Sequence, residues 1–277
     1  MKLSKKMIAL TAAALAVCMT LASCTAQRED TGVAYEKDMK ISTAEDLEGK
    51  AVAVQLRSGE DEYVTSQKLT NYPKRYSDMT KAVQDLVDKK VAAVVVDSYY
   101  AKQLIDGVEG VKIAKNSVGK VEYRFLLNRT DVKLVEKLNK QIAAFKESEE
   151  YQPMIESELV NGKSYAVSKE EEKELKGVYT YVTEPGFKPF IYEKKGKVKG
   201  LFATMADSIA YNCGASLEIK TVDAAYDIDN AADTVKGVKK AFCVVSYEAG
   251  EDNADFMTTD VFYTSELVMI LRVEEKK

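Results

Sequence analysis

Lys81–Ala101 (KAVQDLVDKKVAAVVVDSYYA) is the stretch that decides the fold. Within it Val91–Val96 (VAAVVV) is an unbroken apolar run, far too short to cross a membrane. Such a run reads as a strand buried on both faces, the kind found in parallel sheets. Just before it Met79, Val83, Leu86 and Val87 recur at helical spacing, and Asp97-Ser98 follow it at the point where a new helix would start. A helix, a buried strand and another helix in about twenty-five residues is the unit of an α/β fold.

The same alternation extends outward. Upstream, Ala51–Leu56 (AVAVQL) is a short apolar run followed by the loop Arg57-Ser58-Gly59 and a helix-like segment. Downstream, Leu134, Leu138, Ile142 and Phe145 share one helical face. Residues 160–177 (VNGKSYAVSKEEEKELKG) break the pattern, and their charged run Lys169–Lys176 fits either a solvated helix or a linker. Beyond it, Gly177–Thr183 is a strand with alternating aromatics, closed by the turn Glu184-Pro185-Gly186. A charged hairpin at Glu193–Lys197 follows. Phe202, Met205, Ile209 and Cys213 then form a helical stripe, with Gly214 as its stop. Leu217–Val222, Ala241–Ser246 and Leu267–Val273 read as three further strands.

The amino terminus has the form of an address. Lys2, Lys5 and Lys6 precede an apolar stretch, Met7–Ala22, that is short for a bilayer span. It ends in Leu21-Ala22-Ser23-Cys24, which resembles a bacterial lipobox. The resemblance implies cleavage after residue 23, lipidation of Cys24, and residence on the outer face of the cell membrane. The polar stretch to residue 40 reads as a tether.

Composition narrows the chemistry. The chain has 277 residues and no histidine, which excludes Ser-His-Asp and Cys-His catalysis and removes the commonest transition-metal ligand. No metal site and no cofactor is expected. Loss of Lys2, Lys5 and Lys6 with the leader takes the net charge from −4 to −7, so nothing points to nucleic acid. After cleavage and lipidation, Cys213 and Cys243 remain. Export permits a disulfide between them, and burial as two free thiols fits equally well.

Several segments resemble the solute-binding proteins of polar amino-acid ABC importers, which have a two-lobed, type II periplasmic-binding-protein-like fold. Asp46–Lys50 followed by AVAVQLRSGEDEYV is similar to the opening of lobe two, and Lys81–Ala101 to its helix, strand and following Asp-Ser. Residues 125–145 resemble the helix after the return to lobe one. Gly177–Phe190 (GVYTYVTEPGFKPF) resembles the first strand and loop of lobe one, and Phe256–Leu271 the segment closing its first half. The two halves stand in reversed order. The chain is therefore read as circularly permuted, with two incomplete half-proteins in tandem as the alternative. The expected organisation is a leader at 1–23, a tether at 24–40 and lobe two at 41–124. A return segment packing on lobe one follows at 125–159, then a linker at 160–176 and lobe one at 177–277. Each lobe would be a mostly parallel sheet flanked by helices, with a single covalent crossing left near Val121–Leu127.

The resemblance implies that an amino-acid-like solute is trapped between the lobes. Asp97 takes the position of the carboxylate that receives the ligand's ammonium, although it would also serve as a helix cap. On this reading, Asp97→Ala would abolish binding and leave the fold intact. Ser58 fits the hydroxyl-bearing loop before a helix, which suits an anion, whereas Arg57 departs from the family pattern and would face either a ligand carboxylate or solvent. Phe187 and Phe190 match an aromatic wall, with core packing as the alternative. Tyr99, Tyr247 and Glu248 are weaker candidates by position. The arginine that holds the ligand's α-carboxylate in the family has no counterpart in Ser246–Phe256 (SYEAGEDNADF), which is acidic instead. Three outcomes would fit that change: a ligand unlike a standard amino acid, such as a cationic amine; another residue such as Arg57 holding the acid; or loss of binding. The expected protein is thus a monomeric, lipid-anchored binding protein serving an ABC importer permease. A divergent interaction or sensory module is the alternative, and an enzyme ranks last.

Overall fold

A computed structural model of the chain describes residues 40–169, 174–223 and 230–273. All of them belong to one compact unit, Tyr35–Lys277. The expectations for the leader, Cys24 and most of the tether concern residues outside this set.

The first half begins with a 3-10 turn at Glu45–Leu47 and then alternates strand and helix: β1 (Ala51–Gln55), α1 (Gly59–Ser66), β2 (Tyr72–Tyr76), α2 (Met79–Val87), β3 (Ala93–Asp97) and α3 (Ser98–Ile105). The 18-residue strand β4 (Val111–Asn128) follows, then α4 (Val132–Lys146) and α5 (Tyr151–Ile155), the latter ending in a π-helical turn at Glu156–Val160. The second half comprises β5 (Val178–Thr183), the hairpin β6 (Tyr192–Lys194) and β7 (Lys197–Lys199), α6 (Leu201–Asn212), β8 (Ser216–Thr221), α7 (Asn230–Gly237), β9 (Ala241–Val245), β10 (Phe256–Thr258) and β11 (Tyr263–Arg272). The mixed α/β architecture expected from the apolar periodicity is present.

The periodic residues land where their spacing puts them. Every residue of β1 and β3 is buried, and Val52, Val54, Val94 and Val95 are fully enclosed. Each such valine contributes about 1.5–3 kcal/mol relative to an exposed one. Met79, Val83 and Leu86 of α2 and Leu134, Leu138, Ile142 and Phe145 of α4 face the same core. Gly214, in the left-handed conformation at φ 72°, stops α6. Between residues 161 and 169 the linker carries no helix or strand.

The strands form one nine-stranded sheet in the order β2-β1-β3-β11-β4-β9-β5-β8, with β10 also on β4. β1, β2 and β3 are parallel to one another, as are β9, β5 and β8. Between these two groups run β4 and β11, antiparallel to each other. Residues 111–123 of β4 pair with β11, and residues 124–128 pair with β9 and β10. β11 does not stay with the rest of the 177–277 segment; its other edge pairs with β3, Leu267 opposite Asp97. The chain therefore passes between the halves of the sheet twice, along β4 and into β11, and the expected single crossing is corrected. The reason lies in Leu267–Leu271, an apolar run buried on both faces, which belongs at the centre of a covered sheet.

Candidate functional site

The seam between the two strand groups gathers most of the residues singled out above. It is lined by the loop after β1, the end of β3, the crossing strands β4 and β11, and the loop after β5.

Asp97 ends β3 and is completely buried. Its Oδ1 accepts the backbone N–H groups of Tyr99 (2.8 Å) and Tyr100 (3.0 Å), and its Oδ2 accepts the hydroxyls of Tyr263 and Ser265, both at 2.7 Å. Burial pushes its carboxyl upward, against the pull of those four donors. Asp97 thus caps α3 and ties it to β11, with each oxygen already supplied by the protein.

Ser58 is similarly committed. Its hydroxyl donates to Gln55 O (2.9 Å) and accepts from Asp61 N (3.1 Å), capping α1. Arg57 holds a left-handed backbone at φ 60° and is exposed. Its charge reaches across the seam to Glu184, where burial pushes the carboxyl up and Arg57 opposes the rise.

Phe187 and Phe190 do form an aromatic wall. Their rings stack at 4.6 Å, with Phe190 fully buried against Tyr100, Tyr123 and Tyr263. Phe202 of α6 packs on Tyr123 at 4.7 Å. Aromatic rings from both halves and both crossing strands therefore interlock at the seam. Two side-chain hydrogen bonds also span it, Gln55 Nε2 to Lys188 O (3.0 Å) and Ser246 Oγ to Glu62 Oε2 (2.6 Å).

Three candidates stand at its border. The hydroxyl of Tyr99 meets Gln152 on α5, and Tyr247 is exposed. Glu248, also exposed, pairs with Arg124 at 3.6 Å. That ion pair bears on the missing arginine. The acidic stretch 246–256 draws its positive charge from other elements: Arg124 of β4, Arg129 just after it and Lys236 of α7, the last paired with Asp255 at 2.8 Å.

Sequence reasoning missed the most unusual residue. Glu60, in the first turn of α1, is 2% exposed, and neither carboxylate oxygen has a hydrogen-bond partner. The Tyr123 hydroxyl is likewise buried and unpartnered. Burial pushes Glu60 up to about 7; Ser58 and the backbone N–H of Glu60 oppose this, while Asp97 and Asp61 reinforce it. The only signal in sequence was an acidic Glu-Asp-Glu run, which reads as a solvated helix start.

Cys213 and Cys243 are both buried thiols that are not joined in a disulfide, and burial pushes the Cys243 thiol up to about 12. Among the described residues no cluster of three or more Cys, Asp or Glu side chains could hold a metal ion. A separate cavity of about 390 Å³ lies between the linker and α6, lined by Tyr165, Val167, Lys199, Thr204, Leu217 and others; it shares no residue with the seam.

No known family model matches the chain, and no curated protein matches it in sequence. Solved structures match in fold at low similarity. A phosphate-binding protein of a phosphate ABC transporter from Streptococcus pneumoniae has a TM-score of 0.47 at 10% identity, covering 81% of this chain and 89% of that one. The probable amino-acid ABC transporter extracellular-binding protein YtmK from Bacillus subtilis has 0.39 at 8%, covering 82% and 85%. The BenM effector-binding domain with benzoate has 0.39 at 8%, covering 83% and 86%. Transport proteins and a regulator's effector-binding domain thus stand side by side at similar distance.

Proposed function

We propose that this chain is an exported, lipid-anchored solute-binding protein that captures a small polar solute at the seam and presents it to an ABC importer. The observation that carries the reading is the seam itself. Two adjacent strands join the halves of the sheet, and the buried polar groups of Glu60 and Tyr123 beside them have no hydrogen-bond partner. A native structure rarely leaves such groups unpaired unless water, an ion or a ligand meets them or the site stores strain. The reversed order of the two halves supports a circular permutation, and the lipobox-like Leu21–Cys24 supports an outer-face location. The absence of histidine from the sequence supports a binding role over an enzymatic one.

A second reading is an interaction module with a closed seam. The interlocked rings of Phe190, Phe202, Tyr123 and Tyr263 favour it, because they occupy space that a ligand would need.

Thermal melting of the Cys24→Ser chain against amino acids, amines, phosphate and carboxylates separates the two. A ligand at about a hundred times its dissociation constant stabilises by about 2.7 kcal/mol, roughly 5–10 °C for a chain of this size. A selective shift establishes the binding protein; no shift across the panel sinks that reading in favour of the interaction module.

A further inference from the structure

We propose that Glu60 and Tyr123 form the receptor for a primary ammonium group, so that the solute bound at the seam is a cationic amine. This rests on the seam being a binding site.

The case begins with what each acidic group near the seam already has. Asp61 pairs with Arg75 at 2.7 Å. Asp97 has its four donors. Glu62 accepts from Ser246. Glu60 makes no well-formed hydrogen bond through either carboxylate oxygen, and feels only the weaker pull of Ser58 and its own backbone N–H. The Ser58 hydroxyl donates to Gln55 O and accepts from Asp61 N, so its well-formed hydrogen bonds go elsewhere. Two neighbouring carboxylates, Asp97 and Asp61, push the Glu60 carboxyl further up. An ionised carboxylate in such a place is costly until a cation with N–H donors reaches it.

Tyr123 supplies the second half. Its hydroxyl lies against Gly59, the residue before Glu60; burial and the Glu60 charge push its ionisation up, and no hydrogen bond joins the two. A tyrosine hydroxyl can accept an N–H, and a carboxylate accepts two or more. An ammonium group, with three donors and no acceptor, meets both. Gly59 lets α1 pack closely on β4, because a Cβ there would fall 2.6 Å from Val121 Cγ1 and 2.7 Å from Tyr123 Oη. Asp97, with its oxygens filled, leaves the ammonium to Glu60.

The test uses the full chain carrying Cys24→Ser, with and without Glu60→Gln, in thermal melting and isothermal titration. Probes are n-butylammonium, putrescine and agmatine, with tetramethylammonium, potassium, butyrate, L-glutamate and phosphate as comparisons. Glu60→Gln keeps the volume and removes the charge, and a cooperative melt verifies that it folds. The expected result is a shift with at least one primary amine, at least tenfold weaker binding in Glu60→Gln, and no response to tetramethylammonium, which has no N–H to donate. Binding of only butyrate, glutamate or phosphate would overturn the amine assignment while leaving the binding protein standing. A response to potassium alone would replace the ammonium with a metal ion and overturn it too. Amine binding unchanged in Glu60→Gln would move the site elsewhere. No response to any probe, as expected if only buried water occupies the gap, would overturn both the assignment and the reading on which it rests.

Discussion

Tyr263 Oη donates a 2.7 Å hydrogen bond to Asp97 Oδ2, joining the first residue of β11 to the last residue of β3, 166 positions away in the chain. Through it, the carboxylate that caps α3 is held by the strand that returns from the other half of the sheet. Asp97 is a structural joint, and this changes what its removal should do.

Asp97→Ala should destabilise the fold by about 3–5 kcal/mol, because it leaves two hydroxyls and two backbone N–H groups buried without an acceptor. Tyr263→Phe removes one donor and should cost about 1–3 kcal/mol. Urea unfolding monitored by circular dichroism gives both values. An Asp97→Ala chain as stable as wild type would mean that the network contributes little.

Glu60 makes stability fall with rising pH. The folded chain holds the Glu60 proton up to about 7, whereas the unfolded chain releases it near 4.5. The resulting stabilisation is complete below about pH 4.5 and lost as pH rises through 7, on the order of 3 kcal/mol in all. The groups facing Glu60 are Asp97 of β3, Asp61 of its own helix, Tyr123 of β4 and Tyr100 of α3; none supplies a positive charge. Denaturant midpoints measured at pH 5, 6, 7 and 8 should decline in wild type and decline less in Glu60→Gln. Equal declines would place the titrating group elsewhere.

Gly200→Ala should be among the costliest glycine replacements. Gly200 precedes α6 at φ 109°, and a Cβ there would meet the carbonyl oxygens of Pro189 at 2.5 Å and Phe190 at 2.6 Å. These are backbone atoms that cannot swing aside, so about 2 kcal/mol or more should be lost. Gly214→Ala, with open space at its Cβ, should cost only the left-handed strain of about 1 kcal/mol. Comparing the two melting temperatures separates close approach from backbone conformation.

Cys24→Ser should release the protein from the membrane fraction and abolish incorporation of labelled palmitate. Lipid label retained by the Cys24→Ser chain would refute the lipobox reading.

Much of the fold was legible because it rests on apolar periodicity. The buried runs at Ala51–Gln55 and Ala93–Asp97 and the helical stripes of α2, α4 and α6 carry their partners' geometry in their own spacing. β4 was less legible, since its first ten residues include few apolar ones and only its pairing with β11 holds them in a strand. At the seam, Asp97, Phe187 and Phe190 were anticipated by position and do lie together. Tyr99, Tyr247 and Glu248 border it, through Asp97, the neighbouring Ser246 and Arg124. Glu60 escaped notice because its neighbours Asp61 and Glu62 do meet Arg75 and Ser246, as surface acids would.

By itself, the sequence determined that this is an α/β chain with its strands sheathed by helices, and that histidine chemistry is absent from it. Both follow from local facts, a short-period pattern and a composition. Only the tertiary structure decided that β11 crosses back to β3, that the oxygens of Asp97 are filled, and that Glu60 and Tyr123 are left unpartnered. Pairing across 166 residues and the burial of a single carboxylate depend on where distant segments meet, and that is a property of the packed whole.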